Sequence, residues 1–242
     1  MSILTKERVV DCTFAPTKLP MKSLWIRVGV VLAVAVVGIL IAMPILTPEK
    51  RLPIYQPSDI NPKLVDTTLR AVRENHSILD FSLVNQLGEP YSKADLEGQI
   101  YVADFFFTTC PTICKQMVKH MYLVQEEFLE DEEVHLVSHS VFPEQDSVPV
   151  LAAYAEQYGI QSDRWTLLTG DKPTIYDLAR KSYFAVTTEG NGGKTDFIHT
   201  ENFVLVDKDF RLRGFYDGTD QADVQRLIRD IYLLKKEYEK PA

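Results

Sequence analysis

The longest apolar stretch of the chain lies close to its start. Residues 28–46 (VGVVLAVAVVGILIAMPIL) contain no charged side chain, and a helix of that length crosses the roughly 30 Å apolar core of a bilayer. Residues 1–27 carry five basic and two acidic side chains. Because a basic flank stays in the cytoplasm, the pattern predicts a single-pass anchor in the inner or plasma membrane. The rest of the chain is then expected on the exported side, periplasmic or extracytoplasmic.

A cleaved signal peptide is the alternative interpretation of this segment. Its apolar core would run for about 7–15 residues and end at a small-x-small cleavage site. Here the apolar run is longer and ends in Met43-Pro44-Ile45-Leu46, which favours a retained anchor. Met21 is an alternative start of the chain, in which case residues 1–20 would not belong to the native protein.

Four prolines follow the apolar run at intervals of four or five residues: Pro48, Pro53, Pro57 and Pro62. Proline-rich segments adopt extended conformations, so residues 47–76 are predicted to be a tether between the anchor and a folded domain. The folded domain is expected to comprise residues 77–242, which is enough chain for one domain with its own core.

Within the predicted domain, apolar residues follow two periodicities. Residues 100–107 (IYVADFFF) form a nearly continuous apolar run, which is typical of a strand buried on both faces of a sheet. Residues 112–130 instead repeat apolar side chains every three or four positions, as an amphipathic helix does. The same criteria predict strands at 77–84, 134–141, 165–168, 202–206 and 212–216, and helices at 148–158, 174–182 and 220–238. This order predicts an α/β fold with three layers and a mixed central sheet.

Composition changes this picture little, but charge excludes one class of partner. The 242 residues are 45% hydrophobic and 25% charged, which is ordinary for a globular protein. Two of the 34 acidic residues and five of the 26 basic residues precede residue 49, so the remainder of the chain has a net charge of −11. Binding of phosphates needs clustered Lys and Arg, so nucleic acid is not expected as a partner.

The candidate chemistry lies at the turn between the central strand and the helix that follows it. Of the three cysteines, Cys12 precedes the anchor, whereas Cys110 and Cys114 are four residues apart directly after the buried strand. If the first helical turn begins at Pro111, both thiols lie near the helix N-terminus and on the same side. The helix dipole there favours thiolate over thiol. Such a pair can form a disulfide or bind a soft metal ion.

The spacing of ligands favours copper over zinc. A zinc site usually has four ligands in paired groups, and the chain has no second cysteine pair. Two thiolates and one imidazole suit Cu(I). His199, at the entrance to the predicted strand 202–206, is the candidate imidazole, because loops at strand ends form the sites of α/β sheets. The other histidines are predicted at the surface (His76), on another helix face (His120), or in the packed core rather than as ligands (His135 and His139).

Residues 77–238 resemble the Sco/SenC family. The similarity is carried by Phe81-Ser82-Leu83 with its Gly88 turn, Leu96-Glu97-Gly98, Cys110-Pro111-Thr112-Ile113-Cys114, Ser140-Val141-Phe142-Pro143-Glu144-Gln145-Asp146 and His199-Thr200. The resemblance implies a membrane-anchored, thioredoxin-like copper protein that assists assembly of cytochrome c oxidase. It also implies copper ligands at Cys110, Cys114 and His199. Its partner would be the copper-bearing subunit of the oxidase or another copper chaperone.

The chain departs from the family pattern at three positions. Thr112 and Lys115 replace the usual Asp and Pro of the cysteine motif, and Phe142 replaces an Asp of the second motif. These changes remove carboxylates and add a cation near the site. They should weaken binding of Cu(II) more than binding of Cu(I), so Cu(I) is favoured and Cu(II) is possible.

A thiol–disulfide oxidoreductase acting on an exported partner protein is the alternative function. Cys110 would attack and Cys114 would resolve the mixed disulfide. Reductases of the thioredoxin type generally place a cis-proline opposite their cysteines. No proline occurs between Pro173 and Pro241, which favours metal binding over an enzymatic role. The polar, Gly-rich residues 187–196 lead to His199 and are predicted to be a mobile loop.

Overall fold

The computed structural model describes residues 21–46, 51–62, 65, 69–186, 198 and 200–239. The chain divides into two compact units between residues 49 and 50. In the first unit, residues Met21–Leu46 form helix α1. Its segment Trp25–Met43, with a mean hydropathy of 2.7, is long and apolar enough to cross a membrane. The predicted apolar segment 28–46 lies within this helix.

The second unit is built on a seven-stranded mixed sheet. Its strands are β1 (Ser82–Asn85), β2 (Pro90–Ser92), β3 (Ile100–Phe106), β4 (Val134–Ser140), β5 (Trp165–Thr169), β6 (Asn202–Val206) and β7 (Leu212–Asp217). Their order across the sheet is β2-β1-β5-β4-β3-β6-β7. Strand β4 pairs in parallel with β3 and β5, whereas β6 and β1 join this parallel centre as antiparallel neighbours. The prediction of a mixed central sheet is confirmed.

Helices cover both faces of the sheet and complete three layers. They are α2 (Cys114–Glu127), α3 (Val148–Tyr158), α4 (Lys172–Asp177), which continues as a π-helical turn (Leu178–Ser182), and α5 (Gln221–Glu239). The apolar sides of α2, α3 and α5 form one core cluster on the first face. The residues of α4 and its π-helical turn belong to a second cluster on the other face.

Strand β3 shows how the sequence produces this arrangement. Ile100, Val102 and Phe106 enter the first core cluster, while Tyr101 and Phe105 enter the second, as the period of two in a strand requires. Every residue of the strand is buried because β3 lies between two neighbours and two layers of helices. The continuous apolar run therefore reports a central strand. Its one acidic residue, Asp104, is buried with the others.

Several residues of the predicted tether, residues 47–76, pack against the domain. Leu52 is buried in the first core cluster, and its N–H donates to Glu237 over 2.7 Å. The buried Arg213 donates to the carbonyls of Leu52 and Pro53 over 2.8 and 3.1 Å. Tyr55 pairs with β7 by an N–H to the carbonyl of Leu212. The second compact unit therefore begins near residue 50, ahead of the predicted domain start at residue 77.

Some element boundaries also differ from the predicted ones. The predicted strand 77–84 is confined to β1, and the three-residue β2 pairs with it across a turn in which Gly88 has a φ of +81°. The predicted helix 112–130 begins only at Cys114 and ends at Glu127. His76 is buried rather than at the surface, and its Nε2 lies 2.8 Å from the carbonyl oxygen of Ser182.

Candidate metal and thiol site

The two cysteines lie on either side of the turn that joins β3 to α2. Cys110 belongs to the loop after β3, and Cys114 is the first residue of α2. Both thiols are free, and the residues are only 3% and 6% exposed. The sequence predicted that the helix would begin at Pro111 and that both thiols would lie near its N-terminus. The helix instead begins three residues after Pro111, at Cys114, so Cys110 lies four residues before it.

The two thiols differ in their acidity. Burial raises the pKa of Cys110, but hydrogen bonds from the Cys114 side chain and from backbone and side-chain groups of Cys114 and Thr112 outweigh it, so the pKa is lowered overall. Burial, the shared hydrogen bond with Cys110 and the charges of Cys110 and Asp104 raise the pKa of Cys114 to about 12. Of the two thiols, that of Cys110 is therefore the more acidic.

A small cavity with room for about one water molecule lies beside Cys114. It is lined by Asp104, Cys114, Ser138, Tyr154 and Trp165, among others. One carboxylate oxygen of Asp104 has no hydrogen-bond partner among the described residues. Burial raises the pKa of Asp104 to about 7, although a hydrogen bond with Ser138 opposes the shift. Sequence reasoning did not single out this residue, although one acid within a continuous apolar strand is a readable signal.

A second buried carboxylate, Asp146, holds the loop that carries Cys110. Its two oxygens accept from the hydroxyl of Thr108 over 2.5 Å, from the backbone N–H of Thr108 over 3.2 Å and from the hydroxyl of Ser140 over 2.5 Å. The sequence placed Asp146 in a family motif but gave it no role. The fold shows that it contacts Thr108 and Ser140.

Four of the five histidines lie outside the cysteine site. His120 contacts the carbonyl of Gly218 through Nδ1, and His135 contacts the hydroxyl of Thr166 through Nε2. His139 is fully buried among aromatic rings. The prediction that His135 and His139 belong to the packed core is confirmed. With His76 also in a buried contact, none of the four is placed as a ligand.

His199 and the predicted mobile loop 187–196 lie outside the described residues. Among the described residues, no group of three or more His, Cys, Asp or Glu side chains could hold a metal ion. The third ligand of a copper site therefore remains a prediction from sequence, whereas the two cysteines are together in the structure.

Comparison with known proteins gives the family. The sequence model of SCO1/SenC matches residues 70–234, which is more than half of the chain. The chain belongs to the SCO1/SenC family. It is 33% identical over 159 residues to the SCO1 protein homolog of Bacillus subtilis (strain 168), covering 65% of this chain and 82% of that protein. A relative in Stutzerimonas stutzeri, whose name assigns it copper binding, is 26% identical over 178 residues, covering 72% and 85% of the two chains.

Solved structures of the family share the fold. BsSco, described as a member of the Sco family of cytochrome c oxidase assembly proteins with a disulfide switch, aligns with a TM-score of 0.58 and 32% identity. The alignment covers 67% of this chain and 95% of BsSco. The predicted thioredoxin-like, three-layer fold of the Sco family is thereby confirmed, and the matched region coincides with the domain that carries Cys110 and Cys114.

Proposed function

We propose that the protein is a copper metallochaperone that binds Cu(I) through Cys110, Cys114 and His199. It would deliver the metal to the copper-bearing subunit of cytochrome c oxidase or to another copper chaperone. The observation that carries the proposal is the pair of free, adjacent thiols in a SCO1/SenC chain, one with a lowered pKa. The copper-binding relative and the assembly role of BsSco support the metal and the acceptor.

The donor set suits the proposed cargo. Thiolate sulfur is the soft ligand that Cu(I) prefers. Because both cysteines are buried, water is excluded from an ion bound between them. Only reduced cysteines bind metal, so loading with copper and the redox state of the pair are linked. The exposed Lys115 beside the site adds positive charge, which disfavours the divalent ion more than the monovalent one.

A titration with Cu(I) under anaerobic conditions tests the ligands. In a Cys12→Ser background, the chain should bind one Cu(I) per molecule, and Cys110→Ser or Cys114→Ser should abolish tight binding. His199→Ala should weaken it, whereas His120→Ala is the matched control, since that imidazole contacts a backbone carbonyl. Unchanged stoichiometry in Cys110→Ser, or unchanged affinity in His199→Ala, would contradict the proposed ligand set.

The difference in acidity between the two thiols favours a second candidate function, a thiol–disulfide oxidoreductase. The lowered pKa of Cys110 suits an attacking thiolate, and the raised pKa of Cys114 suits a resolving thiol. The disulfide switch described for BsSco supports this alternative. Turnover on a model disulfide in the absence of copper tests this function. A chain that binds Cu(I) but shows no turnover acts as a metallochaperone only.

The proposed location is the membrane, with α1 as a single-pass anchor and residues 1–27 in the cytoplasm. The apolar window Trp25–Met43 and the basic residues before and around it support this orientation. A reporter that is active only outside the cytoplasm, fused after Ala242, should be active. Removal of residues 1–46 should release the domain from membranes, and a domain that stays bound would contradict the anchor.

A further inference from the structure

Asp146 lies at the junction of three segments of the fold. It is fully buried in the turn between β4 and α3 and accepts from Thr108, which follows β3, and from Ser140, the last residue of β4. The hydroxyl oxygen of Ser140 in turn accepts the N–H of Phe142 over 3.1 Å. We call the group of Asp146, Thr108 and Ser140 the Asp146 bridge. Its two hydroxyl contacts are both 2.5 Å long.

The bridge requires a carboxylate. Three donors converge on its two oxygens, and a carboxylate offers lone pairs only, whereas an amide has one accepting oxygen and a donating nitrogen. No ion pair of Asp146 with a Lys or Arg occurs among the residues that the structure describes. A buried carboxylate without a cationic partner depends on its hydrogen bonds, so the contacts with Thr108 and Ser140 are what stabilises it there.

The bridge lies close to the cysteines along the chain. Thr108 precedes Cys110 by two residues, and the N–H of Cys110 donates to the carbonyl of Phe107 over 3.2 Å. The seven residues between β3 and α2 form no regular helix or strand. The contact of Asp146 with both the backbone and the side chain of Thr108 therefore fixes the start of the loop on which the Cys110 thiol depends for its position.

We propose that Asp146 is a positioning residue for the cysteine site, acting through Thr108 to hold the Cys110 thiol next to that of Cys114. The proposal deepens the proposed function, on which its copper arm rests. Groups held in a productive geometry react as if at high local concentration. Loss of the bridge should therefore lower both the stability of the Cys110–Cys114 disulfide and the affinity for Cu(I).

The disulfide equilibrium tests the proposal without copper. The full chain, with Cys12→Ser, is equilibrated in detergent with glutathione buffers, where two protein thiols become one disulfide as one glutathione disulfide becomes two thiols. Asp146→Asn should lower the equilibrium constant for disulfide formation about tenfold, the effect of losing one hydrogen bond to a charged group. Thr108→Val, which replaces the hydroxyl by a methyl group, should also lower this equilibrium constant. Thr108→Ser keeps the hydroxyl and should leave the constant at the wild-type value.

A purely structural role predicts a different result. Asp230→Asn is the matched control, since this buried carboxylate accepts from Tyr216 and lies in α5. It should lower the thermal midpoint without changing the disulfide equilibrium. Wild-type equilibria in folded Asp146→Asn and in Thr108→Val would overturn the proposal. If Asp146→Asn does not fold, Thr108→Val and Thr108→Ser decide the outcome alone.

The copper measurement separates this proposal from the proposed function. Cu(I) affinity should fall about tenfold in Asp146→Asn and Thr108→Val. It should stay at the wild-type value in Thr108→Ser. If the wild-type chain does not bind Cu(I), the metallochaperone function fails, while the disulfide equilibrium still tests the bridge. If the wild type binds Cu(I) and both variants bind it equally well, the positioning role fails and the function stands.

Discussion

Replacement of Asp104 by Asn should make the domain more stable at neutral and alkaline pH. Burial raises the pKa of this carboxyl from 3.8 to about 7, so its proton is retained in the folded state over a range in which the unfolded chain has released it. The contribution of this group to the free energy of unfolding is therefore fully present below pH 4 and is lost as the pH rises to 7. The difference between the two pKa values corresponds to about 4 kcal/mol in the free energy of unfolding. That is a large share of the roughly 5–15 kcal/mol typical of a domain.

The asparagine variant carries no such charge, so the two proteins should diverge as pH rises. Below about pH 4 the carboxyl is largely protonated in both the folded and the unfolded chain and is nearly isosteric with the amide, so the two free energies of unfolding should agree within about 1 kcal/mol. At pH 8 the variant should be more stable by up to about 4 kcal/mol. The gain should appear as a higher urea midpoint with an unchanged slope, because the surface exposed on unfolding is the same.

The assay uses residues 50–242, reduced and free of metal. Trp165 is the single tryptophan of this fragment, is buried and lines the cavity beside Asp104, so its fluorescence follows unfolding of the core. Asp80→Asn is the control, since the Asp80 side chain is 96% exposed. Parallel pH profiles for the wild type and Asp104→Asn would refute the argument that the buried carboxylate carries this pH dependence.

Three further predictions concern the core, the start of the domain and the thiols. Burial lowers the pKa of His139 to about 4, so this group should contribute a rise of about 3 kcal/mol in stability from pH 4 to 6.5, opposing the fall due to Asp104, and His139→Leu in the Asp104→Asn background should remove that rise in urea titrations. A fragment of residues 77–242 should unfold at a lower temperature than 50–242 in calorimetry, since burial of Leu52 alone contributes about 2 kcal/mol. At pH 7.5, iodoacetamide should label Cys110 before Cys114 by mass spectrometry; equal rates would contradict the assigned order of acidity.

Periodicity predicted the elements whose burial is determined locally. The continuous apolar run of β3 and the three- and four-residue spacing in α2 report directly which faces are covered, so the central sheet and its main helices were predictable. Strand β2 was missed because Pro90–Ser92 is short and partly exposed, and exists only by pairing with β1. The cysteine motif was recognisable as a pair of residue types at a fixed spacing.

Features that depend on contacts distant in sequence were not predictable. The prolines after residue 47 indicated a tether, but the sequence does not show that the Leu52 carbonyl accepts from Arg213, which is 161 residues away. Likewise, the sequence places Asp146 in a motif but does not show that it reaches Thr108 across 38 residues. The predicted exposure of His76 was wrong for the same reason, because its partner Ser182 lies in the π-helical turn, 106 residues later in the chain.

The pairing of Tyr55 with β7 also protects the sheet from other chains. An edge strand presents unpaired N–H and C=O groups that can recruit a second copy into a continuous sheet. At one edge, the segment around Tyr55 occupies part of β7. At the opposite edge, β2 is three residues long and begins with Pro90, which cannot donate a hydrogen bond. Neighbouring copies of the domain would therefore resist edge-to-edge aggregation, and the segment that precedes the sheet in the chain would also keep those copies apart.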